Sequence, residues 1–221
     1  HTLAEYYRLR RGSIGPLRSW MDRRWSVSPQ QVAKSQIHRI IVNLNFPIIY
    51  TTNYDRNLEA AFELYQKPYL RIASARDLAK VSPDATQIIK FHGDFDDDSS
   101  LVFAETDYFD RLAFASPLDV KFRADAMGHS LLFVGYSMSD LNIRMLLHRV
   151  SKTWEESGYV KDRPQSFVFM TRANPVQEAV LEQWGLTPII GAPGEPGASL
   201  LAFMHELDEG VHGTHKRKKK R

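Results

Sequence analysis

Two side chains that could act together in acid–base chemistry follow two apolar runs of this chain. Asn53 comes shortly after the run Phe46–Tyr50, and His92 comes directly after the run Gln87–Phe91. An amide donates and accepts hydrogen bonds at once, so Asn53 could position a water or a sugar hydroxyl. Histidine titrates near neutral pH and could act as a general base toward such a group. Taken singly, helix capping is the commoner role for Asn53, and hydrogen bonding in the core is the commoner role for His92.

Two further apolar runs end in polar clusters later in the chain. Leu131–Val134 leads into a glycine and a helix start, and Ser166–Met170 leads into a threonine. A glycine lets a ligand approach the backbone, and a helix N-terminus can bind phosphate or ribose. The candidate ligand contacts after the four runs are Thr51, Thr52, Asp55, Gly135, Tyr136, Ser137, Asp140 and Thr171.

The elements that must position these residues alternate between short strands and helices. This alternation predicts an α/β fold of Rossmann type, in which a parallel sheet carries crossover helices on both faces in three layers. The carboxyl ends of parallel strands are where ligands bind in such sheets, so we expect all four polar clusters to converge on one crevice. Helical spacing predicts one helix from Pro29 to the stop at Pro47, and a closing helix over Leu200–Leu207.

Composition limits the classes of protein and of site. The 221 residues are 43% hydrophobic, which suits one domain, predicted over residues 1–210. The chain has no cysteine, which excludes disulfides, thiolate zinc sites and cysteine nucleophiles. No apolar stretch reaches about 18 residues, so we expect no membrane span and a cytoplasmic location. Asp94–Asp98 reads as an exposed acidic loop, because Ser99 stands where a calcium loop needs glycine, and we expect no metal.

Positive charge is concentrated at the two ends of the chain. Six of the basic residues form the run Lys216–Arg221, and a run of like charges predicts that residues 211–221 are a disordered tail. Residues 1–40 hold eight Lys or Arg with interleaved Tyr and Trp. This pattern fits a surface that docks a partner, a phosphate-rich ligand or nucleic acid, and it equally fits an amphipathic helix packed on the sheet.

Three motifs together carry a resemblance to a known family. Thr51–Asp55, Lys90–Asp94 and Phe133–Ile143 resemble, in order and spacing, the sirtuin-like domain of prokaryotic anti-phage defence proteins, over roughly residues 30–190. The resemblance implies a Rossmann-type domain that binds NAD as its substrate and cleaves the nicotinamide–ribose bond. It implies that Asn53 is the catalytic asparagine and His92 the catalytic histidine. Gly135 and Ser137 then correspond to the segment that contacts the nucleotide ribose.

The resemblance therefore implies an NAD glycohydrolase that yields nicotinamide and ADP-ribose and depletes NAD in defence. A catalytically silent scaffold that docks a DNA-translocase-type ATPase or an Argonaute-type partner is an open alternative, and so is a nucleic-acid-binding module. We also expect a homo-oligomer. Deacylation is less favoured, because deacylating sirtuins carry a small zinc module with four cysteines and this chain has none.

The family's glycine-rich turn, which cradles the pyrophosphate, is not found in this sequence, and we expect it upstream of His1. Because that turn supplies donors to the phosphates, the 221-residue chain alone should bind NAD weakly and release nicotinamide slowly. Nicotinamide release by this chain, measured beside a protein extended upstream at matched concentration, tests the expectation. Full activity of the chain alone would contradict it and would direct attention to Arg11–Ser13.

Overall fold

Two compact units make up the fold in a computed structural model of the chain. The structure describes residues 1–218, with side chains through Gly213. One unit contains residues 1–113 together with the chain from Val211 onward, and the other contains residues 114–210. Because the two units are described separately, the single domain over residues 1–210 stays a prediction.

A three-stranded parallel sheet forms the centre of the first unit. Strands β1 (Ile48–Thr51), β2 (Tyr69–Ile72) and β3 (Thr86–Lys90) lie in the order β1-β3-β2, so β3 is hydrogen-bonded on both sides. All pairs are parallel, and Thr51 is the register partner of Lys90. The remaining elements of this unit are helices α1 (Thr2–Arg11), α2 (Gly15–Trp25), α3 (Pro29–Lys34), α4 (Gln36–Asn43), α5 (Asn57–Leu64), α6 (Ala75–Leu78) and α7 (Glu105–Asp110), and 3₁₀ turns at Asp98–Ser100 and Arg111–Ala113.

Helix α5 packs its apolar face on this sheet. Phe62 is 1% exposed, and its ring meets that of Tyr69 on β2 edge-on, with 5.9 Å between centroids. The buried cluster around it consists of Val32, Val42, Ala61 and Ile88. Burial of this face, rather than helix propensity, holds an eight-residue helix in place, because helices this short are marginal in isolation.

Polar contacts dock α1 onto α7. The Arg8 guanidinium lies 2.6 Å from an Asp107 carboxylate oxygen and 3.0 Å from the Glu5 carboxylate. Hydrogen bonds from the Thr106 hydroxyl and backbone N–H, with Arg8 nearby, lower the pKa of Glu5 from 4.5 to about 2. A carboxylate whose pKa is lowered on folding stabilises the docked helix above pH 4.5 and loses that contribution as the pH falls toward 2.

Three parallel strands also form the sheet of the second unit. Strands β4 (Leu132–Phe133), β5 (Ser166–Met170) and β6 (Leu186–Ile190) lie in the order β4-β5-β6. The two-residue β4 pairs Phe133 with Val168, and β5 pairs with β6 along its full length. The helical elements are α8 (Pro117–Gly128), α9 (Leu141–Ser157), a 3₁₀ turn at Val160–Asp162, α10 (Pro175–Gln183) and α11 (Pro196–Lys218), whose end belongs to the first unit.

The predicted α/β class is confirmed, with parallel strands and crossover helices. In the part of the chain that the structure describes, the strands form two three-stranded sheets rather than one continuous sheet.

The single helix predicted from Pro29 is wrong: it breaks at Ser35, whose hydroxyl accepts the His38 backbone N–H and so starts α4. The closing helix is longer than predicted, because α11 continues through residues 211–218, where a disordered tail was predicted. Residues 219–221 lie outside the described residues.

The basic, aromatic N-terminal segment forms α1 and α2. Helix α2 packs against the loop after β3 rather than on the sheet, in a cluster of Met21, Phe95 and Leu101. Trp20 and Tyr6 are more than half exposed. Of the helices in the described part of the chain, none is both long and apolar enough to span a membrane.

Replacing Phe62 with alanine should lower the free energy of unfolding by about 3–5 kcal/mol, because the substitution leaves a cavity under α5. Urea denaturation measures this loss. Leu64→Ala is the matched control, since Leu64 lies on the same helix and is 42% exposed. It should change the free energy of unfolding by about 0.5 kcal/mol or less. Equal losses from the two variants would contradict the packing of α5.

Candidate functional site

Strand pairing brings the two candidate catalytic residues to the same edge of the first sheet. The Phe91 backbone N–H donates to the Thr51 carbonyl at 2.8 Å, just beyond the register pair of Thr51 and Lys90. Asn53 and His92 each lie two residues after that pair. Both residues therefore follow the carboxyl ends of two neighbouring parallel strands, at the edge where ligands bind in such sheets.

Asn53 lies on a short segment that is anchored at both of its flanks. Its backbone N–H donates to the Thr51 hydroxyl at 3.1 Å, and its side chain is exposed. The next residue, Tyr54, donates its hydroxyl to the Val102 carbonyl at 2.8 Å. The Asp55 carboxylate accepts the Asn57 backbone N–H at 2.9 Å. The Asp55 carboxylate is therefore bound to the first residue of α5, whereas the Asn53 side chain faces solvent.

His92 is 3% exposed, and its surroundings are mainly aromatic. Its ring meets that of Tyr108 edge-on at 5.5 Å between centroids, and the Phe91 ring lies 5.8 Å away. The Arg111 guanidinium donates to the Phe91 carbonyl and lies 4.3 Å from the centre of the Phe91 ring. A permanent cation is thus bound to the residue immediately before His92.

Gly93 permits the turn that follows His92. Its φ angle is +81°, in the left-handed region, and its backbone N–H donates to the Lys90 carbonyl at 3.0 Å. A Cβ atom at this position would clash with the Ser100 backbone. The space beside this glycine is filled by the protein's own loop, so the glycine serves the backbone turn.

One backbone residue connects the two candidate catalytic segments. The Val102 N–H donates to the His92 carbonyl at 2.9 Å, and the Val102 carbonyl accepts the Tyr54 hydroxyl. The Tyr54 ring packs between Phe95 and Phe103, with centroids 5.6 and 5.8 Å away. Sequence reasoning missed Val102, because a residue that acts through its backbone leaves no signal in residue type.

Arginines bind the carboxylates of the acidic loop. Asp94 is 1% exposed and lies 3.0 Å from the Arg71 guanidinium, which also binds Asp96. Asp98 lies 2.7 Å from Arg18 on α2. The loop is exposed from Asp96 onward, but the prediction of an exposed loop is wrong at Asp94 and Phe95. Asp94 is buried beside Arg71, and Phe95 is buried in the cluster with Met21. Within the described residues, no three His, Asp or Glu side chains are grouped so that they could hold a metal ion.

In the second unit, the polar segment after β4 turns sharply and starts α9. Gly135 has a φ angle of +62°, and a Cβ there would meet nothing within 4 Å. The Ser137 and Ser139 hydroxyls are 2.6 Å apart. The Asp140 carboxylate accepts the Asn142 backbone N–H at 2.9 Å and so caps α9. Like Asp55, Asp140 was predicted as a ligand contact, and its carboxylate is bound to a backbone N–H at the start of a helix.

The other predicted contacts lie at strand ends as well. Tyr136 is half-buried, with its ring 6.1 Å from that of Phe133, and Thr171 is half-buried directly after β5. Thr52 is half-buried after β1. The structure therefore pairs the four polar clusters two by two, after β1 and β3 in one unit and after β4 and β5 in the other. Their convergence on one crevice, and the roles of these residues in binding and catalysis, stay predictions.

Asn142 is a candidate that sequence reasoning did not single out. It is 2% exposed, and its side-chain amide has no hydrogen-bond partner among the described residues. A buried amide in this state is uncommon and occurs more often at functional sites than elsewhere. Its place two residues after Asp140, within the third motif, was the available signal.

A cavity of about 490 Å³ in the second unit lies away from these strand ends. It is lined by residues at the amino-terminal ends of β5 and β6, including Gln165 and Thr187. The Arg163 guanidinium in its wall donates to the Trp184 carbonyl and to the Ser151 hydroxyl, the latter at 3.2 Å. Ligands in parallel α/β folds bind at the opposite, carboxyl ends, so this cavity does not coincide with the predicted site.

The fold and the site define a parallel α/β domain with polar residues at the carboxyl ends of its strands. A model of the SIR2-like domain matches residues 47–189, which is more than half of the chain. The chain belongs to this family.

Curated relatives are longer than this chain. It is 32% identical to the NAD(+) hydrolase ThsA of Enterococcus faecium, over 66% of this chain and 30% of the relative. It is 32% identical to the protein of the same name from Bacillus cereus (strain MSX-D12), over 57% and 27%. Defense-associated sirtuin 2 of Bacillus subtilis is 27% identical over 66% and 14%. The chain thus spans less than a third of the length of these relatives.

Gly93→Ala should destabilise the protein more than Gly135→Ala does. Both glycines have left-handed φ angles, which cost about 1–2 kcal/mol for alanine, but only at Gly93 must the Ser100 backbone move. We expect the Gly93 variant to lose about 1–3 kcal/mol more, as for other overpacked sites. Chemical denaturation of the two variants side by side measures the difference. Equal losses in the free energy of unfolding would contradict this, because they would show that the loop at Ser100 can move aside at no cost.

Proposed function

We propose that the protein hydrolyses the nicotinamide–ribose bond of NAD to nicotinamide and ADP-ribose, and that this depletes NAD in defence against phage. The observation that carries the proposal is the placement of Asn53 and His92 at equal offsets after two paired parallel strands. Relatives named NAD(+) hydrolase, at 32% identity, support the same reaction.

The reaction needs no strong acid at this site. Nicotinamide leaves from a ring nitrogen that already carries positive charge, so its departure needs no proton. Bond breaking leaves an oxocarbenium-like ribose, and water supplies the oxygen at the same carbon. The Asn53 amide can orient that water and a ribose hydroxyl because it donates and accepts at once. His92 accepts a hydrogen bond from a ribose hydroxyl, or takes its proton as a base. Either contact increases the negative charge on the hydroxyl oxygen, which stabilises the cationic transition state.

The surroundings of the two residues suit these different roles. Asn53 is exposed, so its amide can meet both water and ligand. His92 is held in an aromatic pocket by Tyr108 and Phe91, and the cation of Arg111 is bound to the preceding carbonyl. A histidine fixed in this way loses little conformational freedom in the reaction, which favours a preorganised contact.

For nucleotide binding, the proposed contacts differ in strength of support. Asp140 caps α9 and Asp55 binds the first residue of α5, so both carboxylates are already bound to backbone N–H groups. Gly135 has open space beside its Cα atom, and Ser137 is exposed, which makes this turn the better supported contact for ribose or phosphate.

A docking function is the second candidate, and one observation favours it. Leu3, Tyr6 and Leu9 recur every three residues on α1 and are 85%, 60% and 75% exposed. An exposed apolar stripe of this kind is typical of a contact surface. Further copies of the chain, an ATPase, an Argonaute-type protein or nucleic acid are the partners to test.

Asn53→Ala and His92→Ala, introduced into the whole protein in its activated state, should each lower nicotinamide release by about 10²-fold or more. Each removes a group that contacts the reacting sugar or water, while the backbone bonds of the two segments stay in place. Thermal melting should change little for Asn53→Ala, because its side chain is exposed.

The matched controls are Asn43→Ala and His148→Ala, since both residues are exposed on helices outside the site. They should leave turnover within about twofold of the unmodified protein. Unchanged nicotinamide release from either site variant would remove that residue from the proposed mechanism, and the docking function would then be favoured.

A further inference from the structure

An ion pair lies buried next to the Asn53 segment. Lys90, the last residue of β3, is 1% exposed, and Glu59 of α5 is fully buried. The Lys90 ammonium and a Glu59 carboxylate oxygen are 3.4 Å apart. Lysine is almost never buried without a partner, and removing both charges from water offsets much of their attraction. The pair therefore contributes little to stability on balance, and its presence in an apolar strand needs another reason.

The hydrogen bond that Lys90 makes indicates why this charged residue lies in an apolar strand. Its ammonium donates to the backbone carbonyl of Asp55, two residues after Asn53. Neither Glu59 carboxylate oxygen has a hydrogen-bond partner among the described residues. Glu59 thus balances the charge of Lys90, while the directional bond of the ammonium goes to the Asn53 segment.

The face of β3 on which Lys90 lies explains how its ammonium reaches the Asn53 segment. Alternate residues of a strand face the same side, and Ile88 packs in the cluster under α5, so Lys90 also faces α5. The Thr51 hydroxyl binds the segment on the N-terminal side of the Asn53 side chain, and Lys90 binds it on the C-terminal side. Between these two bonds, Asn53 has little freedom to shift.

We propose that Lys90, with its charge balanced by Glu59, is a positioning residue that fixes the backbone of the Asn53 segment. Its effect on catalysis rests on the proposed NAD hydrolysis, whereas its effect on the segment does not.

The central variant is the double substitution Glu59→Gln with Lys90→Met in the whole protein. Replacing a buried pair by neutral side chains of similar size leaves no unpaired charge, so thermal stability should fall less than when one charge is removed alone. The carbonyl of Asp55 nevertheless loses its donor. Hydrogen exchange of the backbone amides at residues 52–57 should therefore become at least about tenfold faster. Nicotinamide release should fall by about 10²-fold, mainly in kcat, as for a small misplacement of a catalytic group.

Two further variants separate positioning from general stability. Glu59→Gln alone leaves the ammonium without its counter-charge, so it should lower the melting temperature more than the double substitution does. It keeps the bond from Lys90 to Asp55, so below its melting temperature it should keep clearly more protection and turnover than the double variant. Ile88→Val is the matched core control, because it weakens the same face of β3 without touching the bond. It should lower the melting temperature slightly and leave exchange at residues 52–57 unchanged relative to the rest of β3.

The proposal is overturned if the double variant shows unmodified exchange at residues 52–57. It is equally overturned if Glu59→Gln alone loses as much turnover and protection as the double variant, because charge balance would then be the whole role of the pair. If the unmodified protein releases no nicotinamide, the proposed function fails, and the exchange measurement still decides whether Lys90 positions the segment.

Discussion

The parallel ladder between β1 and β3 is the constraint on which the first unit depends. Parallel strands present their carboxyl ends at one edge, and the register of Thr51 with Lys90 decides which residues stand there together. A shift of one residue would exchange the faces of every side chain on the shifted strand. The buried face of Ile88 under α5 resists such a shift, so packing on one side of the sheet specifies what is presented at its edge.

Beyond the ladder, polar bonds add to aromatic packing as a source of order. The segments after β1 and β3 are bound through backbone groups, by Val102 between them and by the cations Lys90 and Arg111. Such bonds are stronger away from water, and they are directional, so they define position more narrowly than apolar contact does. The same property makes the arrangement sensitive, because each buried group needs its partner.

Residue type and spacing were enough to predict the α/β class and the strand ends that Asn53 and His92 follow. The run Ser166–Met170 coincides with β5, whereas the roles of Asn53 and His92 stay predictions. The break at Ser35 was missed because the helical spacing of apolar residues continues across it, and one hydroxyl decides the outcome. The division into two sheets depends on contacts between distant residues, which periodicity does not encode. Lys90 did carry a signal, since a charge inside an apolar strand is unusual.

The polar contacts that hold α1 on α7 have a consequence for the order in which the chain folds. Arg8 and Asp107 are 99 positions apart, so α1 has no partner on α7 until the residues between them have been synthesised. At synthesis rates of roughly 5–20 residues per second, that interval lasts on the order of 5–20 s, far longer than helix formation itself. Docking of α1 on α7 therefore follows the formation of α1 itself by several seconds.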